Sequence, residues 1–219
     1  VKLYSVPERP VGLIFDVDGT LYTHEAYFAV QTDVLVERLA ERRGRSAAAM
    51  AAEIAAFRAD WAASHGGEAL SLGNAFTHFG VSIAESVRWR EELIDPAAYL
   101  EPDPRLAATL AALAGRFKLA VVTNNPASVG RATLAALGVA DHFAAVLGLD
   151  TCGVSKPHRD PFLRAAAALG AEPAACVSIG DRYSIDIALP LELGMGGVLV
   201  DGVADVYALP GLFAERGAP

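Results

Sequence analysis

A chain of 219 residues with 53% hydrophobic content can bury a full core and still leave material for a second, smaller unit. Its 26 acidic against 18 basic residues give a formal charge of -8, which argues against a nucleic-acid polymer as partner. Two cysteines outside any zinc or disulfide pattern, no run of ~18 apolar residues and no signal-peptide build at residues 1–10 point to a cytoplasmic protein that engages no membrane.

Residues 11–15 (VGLIF) form a short apolar run, too short for a helix and rich in branched side chains, which predicts a buried parallel strand. It runs directly into Asp16-Val17-Asp18-Gly19-Thr20. From Thr23 to about Glu101 no comparable run follows. Alanine, arginine and glutamate recur there at helical spacing, with breaks at His65-Gly66-Gly67 and Phe79-Gly80. The basic cluster at residues 41–45 (ERRGR) reads as a solvated helix end. Beyond Pro102, residues 118–122, 175–179 and 197–200 are predicted strands, with 144–149 a weaker one. Prolines after Asp103, Asn125, Asp160 and Glu172 mark the first turns of intervening helices. The predicted fold is therefore α/β: a doubly wound, Rossmann-like parallel sheet core built from residues 1–22 and 102–219. A small all-helical unit, residues 23–101, is inserted after the first strand.

Ligands of open parallel sheets bind beyond the carboxyl ends of the strands. Three predicted ends carry polar residues: Asp16 and Asp18 after the first, Thr123-Asn124-Asn125 after 118–122, and Asp181 with Asp186 after 175–179. Two carboxylates ~4 Å apart repel by about 4 kcal/mol at an effective dielectric of ~20, so a cation belongs among Asp16, Asp18 and Asp181. Hard oxygen ligands without His or Cys suit Mg²⁺. A calcium loop is excluded, because Gly19 falls at loop position 4 instead of 6 and Tyr27 stands where position 12 requires Glu. Lys156, in the loop VSKPH ahead of an expected helix, is placed to bring an ammonium to a phosphate. Taken singly, each residue has a plain structural role: the aspartates and Thr123 as caps, Lys156 as a solvated charge.

Taken in order, FDVDGTL, VVTNN, SKPHRDPF and SIGDRYSID make the chain resemble the haloacid dehalogenase-like hydrolase superfamily over residues 11–22 and about 102–201. The resemblance implies that Asp16 is the nucleophile and Asp18 the general acid/base. It implies that Thr123 and the backbone of Asn124 hold phosphate oxygens while Lys156 steadies the charge. Asp181 would bind Mg²⁺ with Asp16 and the Asp18 carbonyl, and Asp186 would support the metal or Lys156. An aspartate nucleophile gives an aspartyl-phosphate, which divides a hard hydrolysis into two displacements. The helical insertion resembles the superfamily's small cap, which closes over the site and selects the leaving group.

GTLY and SKPH are similar to pyrimidine nucleotidase-like members, and the layout to phosphoglycolate phosphatases. The expected activity is Mg-dependent hydrolysis of a small phosphorylated metabolite by a monomer or homodimer, with phosphoglycolate and nucleoside monophosphates the leading substrates. Asp18 disfavours a dehalogenase, and the absence of lysine from residues 23–101 disfavours a phosphonate-cleaving enzyme that needs a Schiff base. A phosphomutase on the same core is one alternative. A non-catalytic phosphometabolite-binding protein is another, disfavoured by the intact Asp16, Asp18, Lys156 and Asp181.

Overall fold

The computed structural model describes residues 1–67 and 70–214. Its strands are β1 (Lys2–Ser5), β2 (Gly12–Phe15), β3 (Lys118–Val122), β4 (Ala145–Leu147), β5 (Cys176–Gly180) and β6 (Gly196–Leu199). They form one sheet in the order β1-β6-β5-β2-β3-β4, parallel throughout except for β1, which pairs antiparallel with β6. The predicted strands all form, within a residue or two of their expected ends. β1 was not expected: its two central residues are only half-buried and its two end residues exposed, and an edge strand that needs no second covered face leaves a faint hydrophobic signal. The helical insertion consequently follows the second strand of the chain, correcting its placement after the first.

The helices of the insertion are α1 (Glu25–Arg43), α2 (Ala47–Ser64), α3 (Leu72–His78) and α4 (Ile83–Leu93). Those around the sheet are α5 (Pro104–Ala114), α6 (Ala127–Ala136), α7 (Leu149–Cys152), α8 (Arg159–Ala168), α9 (Ala188–Glu192), α10 (Val203–Val206) and α11 (Leu209–Ala214). Asp103 caps α5 through its side chain, as the Asp-Pro pair predicts. Pro173 opens only a short 3-10 turn, Pro173–Ala175, and the remaining two proline signals are displaced. Pro126 itself, not Asn125, precedes α6, and α8 begins at Arg159 with the His158 ring accepting the Asp160 N–H. None of the described helices is long and apolar enough to cross a membrane.

Why β2 reads as an uninterrupted apolar run follows from the two-residue period of a strand covered on both faces. Leu13 and Phe15 point to one side, where they join Val121, Ile179 and Leu106 and Leu110 of α5. Ile14 points to the other, against Phe162 of α8 and Leu169, the residue that follows that helix. Each such side chain is almost fully buried and contributes about 1.5–3 kcal/mol.

The insertion has a core of its own: Leu35, Leu39, Met50, Phe76 and Trp89 pack with one another, away from the sheet. The first turns of α1 belong to the sheet side, where Tyr27 is buried. Serines 46, 71 and 82 cap α2, α3 and α4 through their side chains, each cap worth about 1 kcal/mol. The ERRGR cluster does end a helix, with Gly44 in the left-handed conformation as its cap.

From β2 the chain moves to β3 on one side, and from β5 to β6 on the other. The winding direction therefore reverses between the carboxyl ends of β2 and β5. Such a reversal opens a crevice.

Candidate active site

Asp16 leaves β2 at that crevice, its N–H bonded to the Ile179 carbonyl of β5 at 2.8 Å. The chain then folds back at once, with the Leu21 N–H donating to the Val17 carbonyl at 2.9 Å. Gly19 makes this turn possible: its φ is +82°, and a Cβ there would lie 2.6 Å from Asp181 Oδ2. A side chain at this position would push the second motif away from the fourth.

At the end of β5, Gly180 opens space in the same manner, because a Cβ would lie 2.4 Å from Asp186 Cβ. A single π-helical turn at Tyr183–Ile187 carries Asp186 back beneath the strand end. Ser178 Oγ donates to the Asp186 carbonyl at 2.6 Å, and the Arg182 N–H donates to Asp186 Oδ2 at 3.1 Å. Asp186 is therefore fixed before it meets the rest of the site.

Lys156 is 1% exposed, and its Nζ donates to Asp16 Oδ1 at 2.6 Å and to Asp186 Oδ1 at 2.7 Å. Burial alone would lower its pKa, but the Asp16 and Asp186 carboxylates outweigh burial and hold it above the ordinary value. The loop lysine is thus the buried hub of the site and not a solvated charge. Asn124 secures its backbone: Oδ1 accepts the Lys156 N–H at 2.7 Å while Nδ2 donates to the Lys156 carbonyl at 3.1 Å. Thr123 is buried beside it, its Oγ1 accepting the Asn125 N–H at 3.1 Å.

Asp18 occupies a separate setting. Its Oδ1 accepts from Tyr22 Oη at 2.5 Å and from Gln31 Nε2 at 3.0 Å, and its Oδ2 accepts from Asn125 Nδ2 at 3.1 Å. Burial and the nearby Asp16 charge raise its pKa, against the bonds from Tyr22 and Gln31, which lower it. A carboxyl held so is suited to carry and return a proton.

Asp16, Asp181 and Asp186 each offer an oxygen within 4.8 Å of the others. Asp16 Oδ2 and Asp181 Oδ1 are buried and have no hydrogen-bond donor. Burial, then the Asp16 charge, pushes Asp181 up to about 7, although Arg182 opposes the shift. Arg182 lies 4.0 Å from the first and 3.7 Å from the second, too far for a hydrogen bond, and buried oxygens without a donor among hard ligands fit a divalent cation, because an ion would satisfy both and relieve their repulsion. The side chain of Asp18 stands outside this cluster and that of Asp186 inside it.

The structure thus gathers Asp16, Asp18, Thr123, Asn124, Lys156, Asp181 and Asp186 at one sheet edge. Sequence reasoning missed Gln31, Arg182, Arg90 and the part played by Asn125 and Tyr22. Asn125 and Arg182 lie inside quoted motifs and were legible as neighbours of site residues. Gln31 and Arg90 sit on helices of the insertion with no local signal. A cleft of about 280 Å³ opens beside them, and Asp18, Gln31, Arg90, Asn125, Ser155 and Arg182 contribute to its lining. The insertion meets the sheet side there through Gln31 Oε1, which accepts from Asn125 at 2.8 Å, and through Ser71 Oγ and Ser155 Oγ, 3.0 Å apart.

The chain is similar to known proteins in sequence and in fold. A family model described as haloacid dehalogenase-like hydrolase matches residues 11–192. Phosphoglycolate phosphatase of Rhodospirillum rubrum is 33% identical over 203 residues, covering 87% of this chain and 79% of that protein. Phosphoglycolate phosphatase of Pectobacterium atrosepticum is 29% identical over 227 residues, covering 91% and 92%. Among solved structures, an HAD phosphatase from Thermococcus onnurineus superposes with a TM-score of 0.65 at 23% identity, covering 93% of this chain and 97% of that one.

Proposed function

Given that the chain belongs to the haloacid dehalogenase-like hydrolase family and is a hydrolase of phosphoric monoesters, we propose that it cleaves a small phosphomonoester by nucleophilic attack of Asp16. The observation that carries this reading is the pair of buried oxygens without a hydrogen-bond donor, Asp16 Oδ2 and Asp181 Oδ1, which Arg182 approaches no closer than 4.0 and 3.7 Å, beside the Lys156 ammonium. An anion and a cation bound beside them would complete each other's charge.

In the proposed reaction the Asp16 carboxylate forms a bond to phosphorus as the ester P–O bond breaks, and Asp18 gives its proton to the departing alkoxide. Asp18, now ionised, takes a proton from water as that water attacks phosphorus and the Asp16–phosphorus bond breaks. Lys156 offsets charge on the phosphoryl oxygens without leaving Asp16. Thr123 Oγ1, which accepts from the Asn125 N–H, is free to donate its own proton to a phosphoryl oxygen. The Asn124 backbone N–H would join it, while the Asn124 side chain positions Lys156. Mg²⁺ held by Asp16, Asp181, the Asp18 carbonyl and the supporting Asp186 would neutralise phosphoryl charge and align the ester.

Residues 23–101 would act as a cap over the core formed by 1–22 and 102–219. Their separate hydrophobic cluster and the contacts from Gln31 and Ser71 support that division. A cleft of about 280 Å³ lies just below the ~300–1,000 Å³ of small-molecule sites. This favours a short ester such as phosphoglycolate over a nucleoside monophosphate, in line with the activity named for the relatives.

The test is phosphate release from a panel of phosphomonoesters, with and without Mg²⁺, on the native protein and Asp16→Asn. Turnover that depends on Mg²⁺ and falls by at least ~10⁴-fold in Asp16→Asn is expected, the scale of loss when a catalytic unit is broken. Equal activity of Asp16→Asn would refute the mechanism.

A further inference from the structure

Two cations of the site, Lys156 beneath the cleft and Arg182 lining it, are engaged by carboxylates. Lys156 is bonded to Asp16 and Asp186, and Arg182 lies 3.7 Å from Asp181 and 4.0 Å from both Asp16 and Asp186. Arg90 is different. It projects from α4 of the insertion into the same cleft and is 5% exposed, yet its guanidinium donates only to Ser86, one turn earlier, at Oγ and at the carbonyl. Among the described residues no carboxylate forms an ion pair with it.

Buried charges in folded proteins are paired, because removing them from water is costly without a counter-charge. Burial lowers the Arg90 pKa to about 10, with the Asp18 charge acting the other way, so the group is still a cation at neutral pH. It has several donors in a planar fork, of which Ser86 engages only one nitrogen. The fork matches a carboxylate. Its place in the cleft with Asp18 sets it on the side of the leaving group, since Asp18 is the residue that would protonate that group.

We propose that Arg90 is a specificity-determining residue that binds a carboxylate on the alcohol portion of the substrate, so that the protein selects phosphorylated small hydroxy acids over uncharged esters of the same size. This rests on the phosphatase reading for the position of the phosphate, and adds the residue and the chemistry that choose the leaving group. Neutral leaving groups would leave the guanidinium buried and unpaired. Rejection of such analogues is strong where a site is built around a polar contact.

Binding separates this inference from the activity on which it rests. Calorimetry in Mg²⁺ would compare two non-hydrolysable probes, 3-phosphonopropionate and propylphosphonate, which differ by a carboxylate in place of a methyl group. The native protein is expected to bind the carboxylate-bearing probe at least tenfold more tightly. Arg90→Met is expected to remove that preference to within threefold while keeping its affinity for propylphosphonate, an outcome a merely structural role would not give. Arg90→Lys retains the charge without the fork and should keep only part of the preference, and it stands in for Arg90→Met should the latter not melt cooperatively. No preference in the native protein, binding of neither probe, or an undiminished preference in both variants would overturn the proposal. Failure to release phosphate from any ester, with the probe preference intact, would instead count against the phosphatase reading alone.

Discussion

Replacing Asn124 by alanine isolates the support of Lys156 from its charge. The side chain of Asn124 makes two bonds to the Lys156 backbone, accepting its N–H at 2.7 Å and donating to its carbonyl at 3.1 Å. Alanine leaves the N–H of a buried residue without a partner, at about 1–3 kcal/mol, and removes the carbonyl bond, at about 0.5–1.5 kcal/mol. The sum centres on about 3 kcal/mol. For a domain of this size each kcal/mol moves Tm by about 2–4 °C, so a fall of about 6–12 °C is expected by circular dichroism. The ammonium would also lose its register against Asp16 and Asp186, and a shift of ~1 Å in such a group costs ~10²-fold in turnover. The activity loss should appear in kcat for phosphate release at temperatures well below the melt. A Tm within 1 °C of the native value together with an unchanged kcat would show that Lys156 is held by its own ion pairs and that the backbone clamp is incidental.

Two further perturbations test the neighbourhood. Gly19→Ala forces an L-residue into φ +82° and brings a Cβ to 2.6 Å from Asp181 Oδ2, so the Mg²⁺ concentration for half-maximal activity should rise at least tenfold. An unchanged Mg²⁺ dependence would mean that the turn after Asp16 and the Asp181 carboxylate are not coupled. Asp103 caps α5 and accepts from Tyr207 Oη at 2.5 Å. Burial tends to raise its pKa, but the Tyr207 bond and the backbone N–H groups of Leu106 and Arg105 outweigh it and depress the value. A depressed carboxyl stabilises above its unfolded pKa of about 4 and ceases to do so as pH falls through the lower folded value. Asp103→Ala should therefore cost about 1–2 kcal/mol in urea unfolding at pH 7, and the gap should close toward pH 3. A gap that persists undiminished at pH 3 would remove the ionised cap from the account.

Much of the fold was legible in residues 11–15, 118–122 and 175–179, because a strand covered on both faces must be apolar at every position, and that demand is written locally. Asp103-Pro104 and the ERRGR run were legible for the same reason: caps and helix ends act on their own neighbours. β1 was not, since an edge strand held by pairing with β6 asks little of its own side chains. Asp16, Asp18 and Asp181 stood out because polar residues at the ends of apolar strands have few other uses in such a sheet.

Their partners were decided elsewhere. Lys156 meets Asp16 across 140 residues of chain, and Asn125 meets Asp18 across 107. Gln31 and Arg90 are a polar residue on one helix and a charged residue on another, like any others until the insertion lays α1 and α4 along the cleft. The sequence by itself determined which chemical groups end each strand, because backbone pattern and side-chain chemistry are properties of short segments. Tertiary structure decided which of those groups are buried, paired or left without a partner, because burial and electrostatics depend on distances between segments that no single one of them encodes.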